Sequence, residues 1–250
     1  LDEKFWYGKR VLVTGGCGFI GSHIVDKLIG MGSEVTVFDN LSSSTTEYIS
    51  KYFEHDRFRF FKGDLRNVED LKGAMEGIDM VIHLAADPDV RGSVIKPIEN
   101  FKINVEGTIN VLETMRLKDI DRIVFASSGG TLYGEASKFP IDEEEPPRPI
   151  SPYGASKAAA EMYLSAYASC YGMSAVSLRY ANIFGPRSSH GVMYDFFMKL
   201  KKDKRTLEIL GNGKQKKSYL YVSDCVSASL MVSERMAKGY DAFNIGSEEW

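Results

Sequence analysis

Residues 11–21 read V-L-V-T-G-G-C-G-F-I-G, and few segments leave a chain so little freedom. Aliphatic and β-branched residues suited to a buried strand run into a cluster of glycines, then into an apolar periodic segment that reads as a helix. Gly16, Gly18 and Gly21 fall in the spacing G-x-G-x-x-G. Glycine there permits the tight turn from strand to helix and lets a pyrophosphate approach the backbone. The free N–H groups and dipole of the helix start then favour the negative charge. A strand that hands over to a helix in this way commits the chain to a βαβ unit in a parallel sheet.

The rest of the first half repeats that rhythm. Strand-like runs fall at RVLVTG (10–15), EVTVFD (34–39), FRFFKGD (58–64), MVIHLAA (80–86) and RIVFASS (122–128), with a further one at AVSLRY (175–180). Helix-like segments lie between them at 19–31, 67–77 and 99–117. Near-continuous apolar strands in βαβαβ order predict an α/β fold, a Rossmann-like doubly wound parallel sheet over residues 1–180. Gly, Pro and charged residues interrupt every run from about Asn182, so 181–250 is expected to form a smaller substrate lobe interleaved with that sheet. Five prolines between Phe139 and Pro152 exclude a helix interior and predict a surface loop. The Ala-rich segment after it reads as a helix with Gly172 as its stop.

Asp39 stands at the end of the second strand, 18 positions after Gly21. A carboxylate there would bond ribose hydroxyls and repel a 2′-phosphate, which favours NAD over NADP. Asp64 ends the third strand; it would either contact the adenine or cap the helix that follows.

Composition narrows the function classes. The 250 residues carry a net charge of −3, which provides no global basic field for a nucleic-acid backbone. No apolar run approaches the roughly 20 residues needed to span a bilayer, and the opening LDEKFWYGKR is too polar for a signal peptide. The expected location is the cytoplasm. Cys17, Cys170 and Cys225 are odd in number and far apart, which supports neither a disulfide framework nor a metal site and reads as reduced thiols.

The chemistry is carried by Tyr153-x-x-x-Lys157, preceded by Ser127-Ser128 at the end of the fifth strand. On a helix the tyrosine and lysine share a face, and an ammonium one turn away would stabilise a phenolate and bring it towards working range as a base. A serine hydroxyl can hold the substrate oxygen in line. That is equipment for interconverting an alcohol and a ketone.

The ordered stretches TGGCGFIGSHIVDKL (14–28), FDNLSS (38–43), KGDLRN (62–67), VIHLAADPDVRGS (81–93), NVEGTINVLE (104–113), FASSGGTLYGE (125–135), SPYGASKAAAE (151–161), LRYANIFGPR (178–187) and QKKSYLYVSD (215–224) carry a resemblance. The chain resembles the extended short-chain dehydrogenase/reductase superfamily, in its NAD-dependent epimerase/dehydratase family, and within that the UDP-glucose 4-epimerases. The resemblance covers essentially the whole chain. It implies that Tyr153 takes the proton of the sugar O4, that Lys157 tunes it and binds the nicotinamide ribose, and that Ser128 bonds the same oxygen. NAD would stay bound while a 4-keto sugar turns and takes the hydride back on its other face. Gly15, Gly18, Phe19, Ile20 and Gly21 would cradle the cofactor phosphates; Asp39, Asn40, Asp64 and Leu65 would hold its adenosine end. Leu84, Ala85, Ala86, Asn104, Ser127 and Tyr180 would line the rest of its site. The UDP-sugar would meet Ser93, Ser128, Asn182, Val192, Phe196 and Lys217.

Two positions depart from the family pattern. Gly129 stands where many relatives, counted back from Gly134, have a hydroxyl residue, so Ser128 or Thr131 must supply it. Lys217 replaces an arginine and loses the bidentate fork for a diphosphate. Eight Lys and Arg between 199 and 217 face only Asp203 and Glu208, a run that reads mostly as a solvated face. Gly129-Gly130 lacks the acids of a 4,6-dehydratase and the glutamate of a UDP-glucuronate decarboxylase. A non-catalytic NAD-binding protein is the alternative outside enzymes. The resemblance further implies a substrate lobe truncated at the C-terminus and a homodimer through the helices around 99–117 and 153–171.

Overall fold

The computed structural model describes residues 1–135, 139–209, 211–214 and 216–247. After a short helix α1 (Glu3–Trp6), strands β1 (Arg10–Thr14), β2 (Glu34–Asp39) and β3 (Phe58–Lys62) alternate with α2 (Phe19–Gly30) and α3 (Val68–Ala74). Strand β4 (Met80–His83) leads to α4 (Val90–Ile95), α5 (Pro97–Phe101) and α6 (Gly107–Leu117). Strand β5 (Arg122–Ser128) ends in the one-turn α7 (Gly129–Leu132), and the long α8 (Pro152–Tyr171) precedes β6 (Ser174–Tyr180). Then come β7 (Asn182–Phe184), α9 (Val192–Lys202), β8 (Tyr219–Tyr221), α10 (Val222–Arg235) and β9 (Gly239–Ile245).

Seven strands form one parallel sheet in the order β3-β2-β1-β4-β5-β6-β9; β7 and β8 pair separately. The chain runs outward from β1 to β3, then returns to β4 on the other side of β1. That reversal opens a crevice at the carboxyl ends of β1 and β4. Both faces of the sheet are buried, as its apolar strands require. Val11, Val13, Val37 and Ile82 pack with Ile24, Val25 and Leu28 of α2 and Val226 and Leu230 of α10. On the other face Leu12, Val81, Ile123 and Phe125 pack with Val111 and Leu112 of α6 and Ala160 and Leu164 of α8. Residues after 180 thus serve two structures, β7 with β8, and α10 with β9 on the large sheet.

Local signals explain the helix ends. Ser151 caps α8 by accepting from the Gly154 amide, and Gly172 ends it in the left-handed conformation at φ 70°. The segment expected as one helix over 99–117 is interrupted by a π-helical turn, Lys102–Glu106, which carries Asn104. The expected strand 80–86 ends at His83, where the chain leaves the ladder. No described helix is long and apolar enough to cross a membrane. No described cluster of His, Cys, Asp and Glu could hold a metal ion.

Candidate active site

The turn from β1 into α2 forms the first half of the site. Gly15 has φ +69°, and a Cβ there would lie 2.8 Å from the Ala85 amide nitrogen. A side chain at Gly21 would meet the Gly15 carbonyl, and one at Gly18 would lie 3.2 Å from the same oxygen. Gly15, Gly18 and Gly21 therefore set the turn, while Gly16 packs on Val37. Gly18 is the N-cap of α2 and offers no side chain to the first turn. The amides of Phe19, Ile20 and Gly21 thus lack helical partners and point out of the helix start, as anion binding requires.

Asp39 closes the turn on its other side. Its Oδ2 accepts from the Cys17 amide at 3.0 Å, and Oδ1 from the Leu41 amide at 2.9 Å and the Ser44 hydroxyl at 3.1 Å. Asn40 donates to Asp64 Oδ2 at 3.1 Å, and Arg66 clasps the same carboxylate at 2.8 Å from both Nε and Nη2. Those Arg66 bonds hold Asp64 well below the usual carboxylate range. Asn67, not Asp64, caps α3. Of the two roles open to Asp64, helix capping is removed. Leu65 is buried against Gly107 of α6, and its carbonyl accepts from Asn110 at 3.0 Å.

Leu84, Ala85 and Ala86 leave the end of β4, and the first two donate their amides to Thr14 Oγ1 at 3.2 Å each. Thr14 in turn lies 2.6 Å from Nδ1 of the fully buried His83, whose Nε2 is 3.0 Å from Thr108 Oγ1. Thr108 gives its proton to the Asn104 carbonyl at 2.6 Å. The proton count then assigns His83 as neutral, with Nε2–H donating to Thr108 and Nδ1 accepting from Thr14. Burial, with a smaller push from the charge of Lys157, holds its pKa down at about 3. Nothing in the sequence patterns singled out His83, because a histidine in an apolar strand looks like core.

The second half of the site stands at the ends of β5 and α8. Thr131 Oγ1 donates to Ser128 Oγ at 2.9 Å, and the Ser128 hydroxyl lies on the side of the Tyr153 phenol, whose pKa it lowers. Ser128 and Thr131 are thus a bonded pair of hydroxyls, with Ser128 on the phenol side. Lys157 is buried, donates from Nζ to the Ala126 carbonyl at 2.8 Å, and lies over the Phe125 ring at 4.7 Å. Burial brings it down to about 8, against the opposing charge of Glu161. Burial, opposed by the Ser128 hydroxyl and supported by the charge of Asp87, pushes the Tyr153 phenol up to about 12. The Lys157 ammonium lies 5.8 Å from the Tyr153 ring centroid while it donates to the Ala126 carbonyl.

Several expected contact residues are engaged within the protein. Ser93 is fully buried; its hydroxyl donates to the Val90 carbonyl at 2.7 Å and accepts from the Tyr153 amide at 3.1 Å. It thereby caps the start of α8 at Tyr153. Asn104 accepts from the Asp87 amide at 2.7 Å and donates to the Asp87 carbonyl and Ser156 Oγ, both at 3.1 Å. It clasps the loop after β4 to α8. The Tyr180 side chain lies in the core on the α10 side, its hydroxyl 2.9 Å from Ser229 Oγ. Ser127 differs from all of these, being buried with no partner for its Oγ. Asn182 donates from Nδ2 to the Ser218 carbonyl at 3.0 Å, at the edge of β7 and β8. Val192 and Phe196 lie on the half-buried face of α9, and Lys217 is exposed beside β8.

These features fit a dinucleotide: a glycine cradle that a Cβ would fill, a helix start without a side-chain cap, an acceptor at Asp39 and an orphaned hydroxyl at Ser127. Comparison with known proteins agrees. A putative UDP-glucose 4-epimerase of Methanocaldococcus jannaschii is 44% identical over 226 residues, covering 88% of this chain and 72% of that one. The solved UDP-glucose 4-epimerase of Thermotoga maritima, with UDP-glucose, superposes with a TM-score of 0.88 at 38% identity, covering 95% of this chain and 77% of that one. The Thermus thermophilus UDP-glucose 4-epimerase, in complex with NAD, gives 0.84 at 38%, covering 96% and 78%. The model of the NAD dependent epimerase/dehydratase family matches residues 11–246, and the chain belongs to that family.

Proposed function

We propose that this chain is an NAD-dependent nucleotide-sugar 4-epimerase that interconverts UDP-glucose and UDP-galactose, or their N-acetyl forms, through a 4-keto sugar. The observation that carries the reading is the bonded Thr131–Ser128 hydroxyl pair set beside the Tyr153 phenol and buried Lys157 at the carboxyl end of the sheet. NAD, when bound, would supply the hydride acceptor and donor, so that the hydride taken from the sugar carbon could return to its other face after the keto sugar turns. Tyr153 exchanges the proton of the sugar hydroxyl, and Ser128 holds the oxygen in line with it. Lys157 brings positive charge next to the phenol, which is otherwise protonated at neutral pH. Gly129 and Gly130 put no acid beside the sugar, so elimination of water has no proton donor there.

Gly15, Gly18, Phe19, Ile20, Gly21 and Asp39 would hold the phosphates and adenosine ribose, with Asn40, Asp64 and Leu65 at the adenine end. Ser127, Lys157, Leu84, Ala85 and Ala86 would line the nicotinamide side, and Asn182, Val192, Phe196 and Lys217 the UDP. We further infer a homodimer. Val94, Ile95, Ile98 and Phe101 of α4 and α5, with Met162 and Tyr163 of α8, are exposed on neighbouring helices, a surface suited to a second copy. Light scattering that returned only the monomer mass would remove that inference.

The test of the reaction is chromatography with mass spectrometry of UDP-galactose, UDP-N-acetylgalactosamine and UDP-glucuronate after incubation with protein and NAD. An isomer of unchanged mass establishes epimerisation and names the sugar. Loss of water or carbon dioxide assigns the chain to a dehydratase or decarboxylase, and no product from a protein that retains NAD favours a non-catalytic binding role.

A further inference from the structure

Tyr153, Lys157 and Glu161 recur every four residues, so one face of α8 carries phenol, amine and carboxylate in succession. Glu161 is fully buried and meets Arg179 of β6, itself 6% exposed, with Nη2 to Oε2 at 2.8 Å and Nε to both oxygens at 3.2 Å. The same guanidinium donates from Nη1 to the Tyr133 hydroxyl at 2.8 Å and to the Glu143 carbonyl at 3.1 Å. Tyr133 follows Thr131 by two residues and donates to Asn244 Oδ1 of β9 at 2.7 Å. Tyr240 of β9 donates to Glu161 Oε2 at 3.2 Å.

A buried ion pair is weak evidence for stability, since apolar residues of similar volume often serve as well. Its placement here is more specific. The pair joins the catalytic helix to the turn that presents Ser128 and Thr131, and it sets a carboxylate one turn beyond Lys157. We propose that Glu161 and Arg179 are positioning residues for the reaction, fixing Ser128 against Tyr153 through Tyr133 and balancing the charge of Lys157 through Glu161. The inference rests on the epimerase reading for its kinetic consequence. Its electrostatic consequence does not depend on that reading.

The groups that face Lys157 are few. Tyr153 and Glu161 lie on its own helix, His83 lies on β4, and β5 contributes only the Phe125 ring and the Ala126 carbonyl. Arg179 of β6 and Tyr240 of β9 act through Glu161, and Asp87 faces Tyr153. Among these Glu161 is the one that raises the lysine against its burial.

The decisive variant replaces both charges, Glu161→Leu with Arg179→Met, so that neither is left buried alone. Its thermal midpoint and retained NAD establish that it is folded. The Lys157 titration is read from its 13Cε resonance, assigned with Lys157→Met, and kcat and KM from whichever UDP-sugar the parent epimerises. The expected result is a folded protein in which kcat falls about tenfold or more with KM held within about twofold. The Lys157 midpoint falls by roughly one pH unit, about a tenfold change in its proton affinity. Tyr133→Phe, which cuts only the link to the Ser128 turn, should lower kcat severalfold and leave that midpoint where it was. A folded double variant with unchanged kcat overturns the proposal, as does a loss of kcat matched by a rise in KM with the midpoint unmoved. If the double variant does not fold, unchanged kcat in Tyr133→Phe overturns it. A parent inert on every nucleotide sugar defeats the epimerase reading instead, and an unmoved lysine midpoint would then defeat the electrostatic half by itself.

Discussion

The two halves of the site are held by different means. Around Gly15, Gly18 and Gly21 the shape is backbone: side chains are absent where the chain must pass close to itself, and most of the structure lies within ten residues of sequence. Around Tyr153 the shape is side chain, and it is long-range. Ser93 from α4 caps the helix, Asn104 from the π-helical turn clasps it, Arg179 from β6 holds Glu161, and β5 supplies Ser128 and the carbonyl that receives Lys157. A backbone cradle fails when an atom is added; a side-chain assembly fails when one is removed. The two halves should therefore separate under mutation.

The largest separation is expected from Tyr153→Phe. Loss of the proton-transferring group lowers kcat by about 10²–10⁴-fold, while bound NAD, released by denaturation and quantified by chromatography, stays at the parental level. If the nucleotide left with the activity, the halves would not be independent. Gly15→Ala breaks the other half. Its φ of +69° and the backbone of Ala85 leave a Cβ no room, so retained NAD should fall at least about tenfold with a stability loss of about 1–3 kcal/mol. Full NAD occupancy in that variant would show that the turn can relax and is not the cradle described.

That contrast also governs what the sequence reveals. The cradle is local, and G-x-G-x-x-G between an apolar strand and a periodic helix, with Asp39 after the next strand, reads directly. Parallel strands buried on both faces give the same direct reading of the sheet from β1 to β6. The side-chain half is only partly legible. Tyr153, Lys157 and Ser128 show themselves by type and spacing, whereas the bonds that Ser93 and Asn104 make to α8 cannot be read from the motifs that point both residues at ligands. A motif identifies which residue type a place requires, not whether ligand or protein takes its hydrogen bonds. Tyr180 illustrates the same limit, since its position at a strand end is plain and its direction, into the core beside Ser229, depends on α10. The placement of α10 and β9 on the large sheet was invisible because charged and small residues break their patterns. Of the basic run after Lys199, Leu210 and Gln215 lie outside the described residues.

His83 belongs to neither half and joins them, touching Thr14 on the cradle strand and Thr108 on α6. Its folded-state pKa, about 3, lies below the ordinary 6.5. Between those values the unfolded chain takes up a proton that the folded chain refuses. Its contribution is therefore complete above pH 6.5 and is lost as pH falls towards 3, by up to about 1.4 kcal/mol per pH unit. Urea midpoints between pH 7 and pH 5 should show that slope, and His83→Gln should flatten it. An equal slope in the variant would place the acid sensitivity elsewhere. Ser93→Ala is expected to be milder, about 0.5–2 kcal/mol, the ordinary value of a side-chain bond to a helix N-terminal amide. Its kcat should fall with it, because the amide released is that of Tyr153; a stability loss with kcat intact would mean the helix start does not fix the phenol.

The smallest effect concerns the two hydroxyls the sequence left side by side. Thr131 donates to Ser128, and Ser128 lies on the phenol side and lowers the Tyr153 pKa, so the threonine acts on the phenol at one remove. In the proposed mechanism, removing Ser128 deletes the group that would meet the sugar oxygen, whereas removing Thr131 deletes only a bond that orients it. One neutral hydrogen bond is worth about 0.5–1.5 kcal/mol, so Thr131→Val should lower kcat by about two- to tenfold. Ser128→Ala should lower it further, and Ser128→Ala with Thr131→Val should be no worse than Ser128→Ala alone, since with Ser128 gone the threonine has nothing left to orient. Losses that multiplied in the double variant would mean that Thr131 reaches the substrate by its own path, and the order of the two hydroxyls would have to be redrawn.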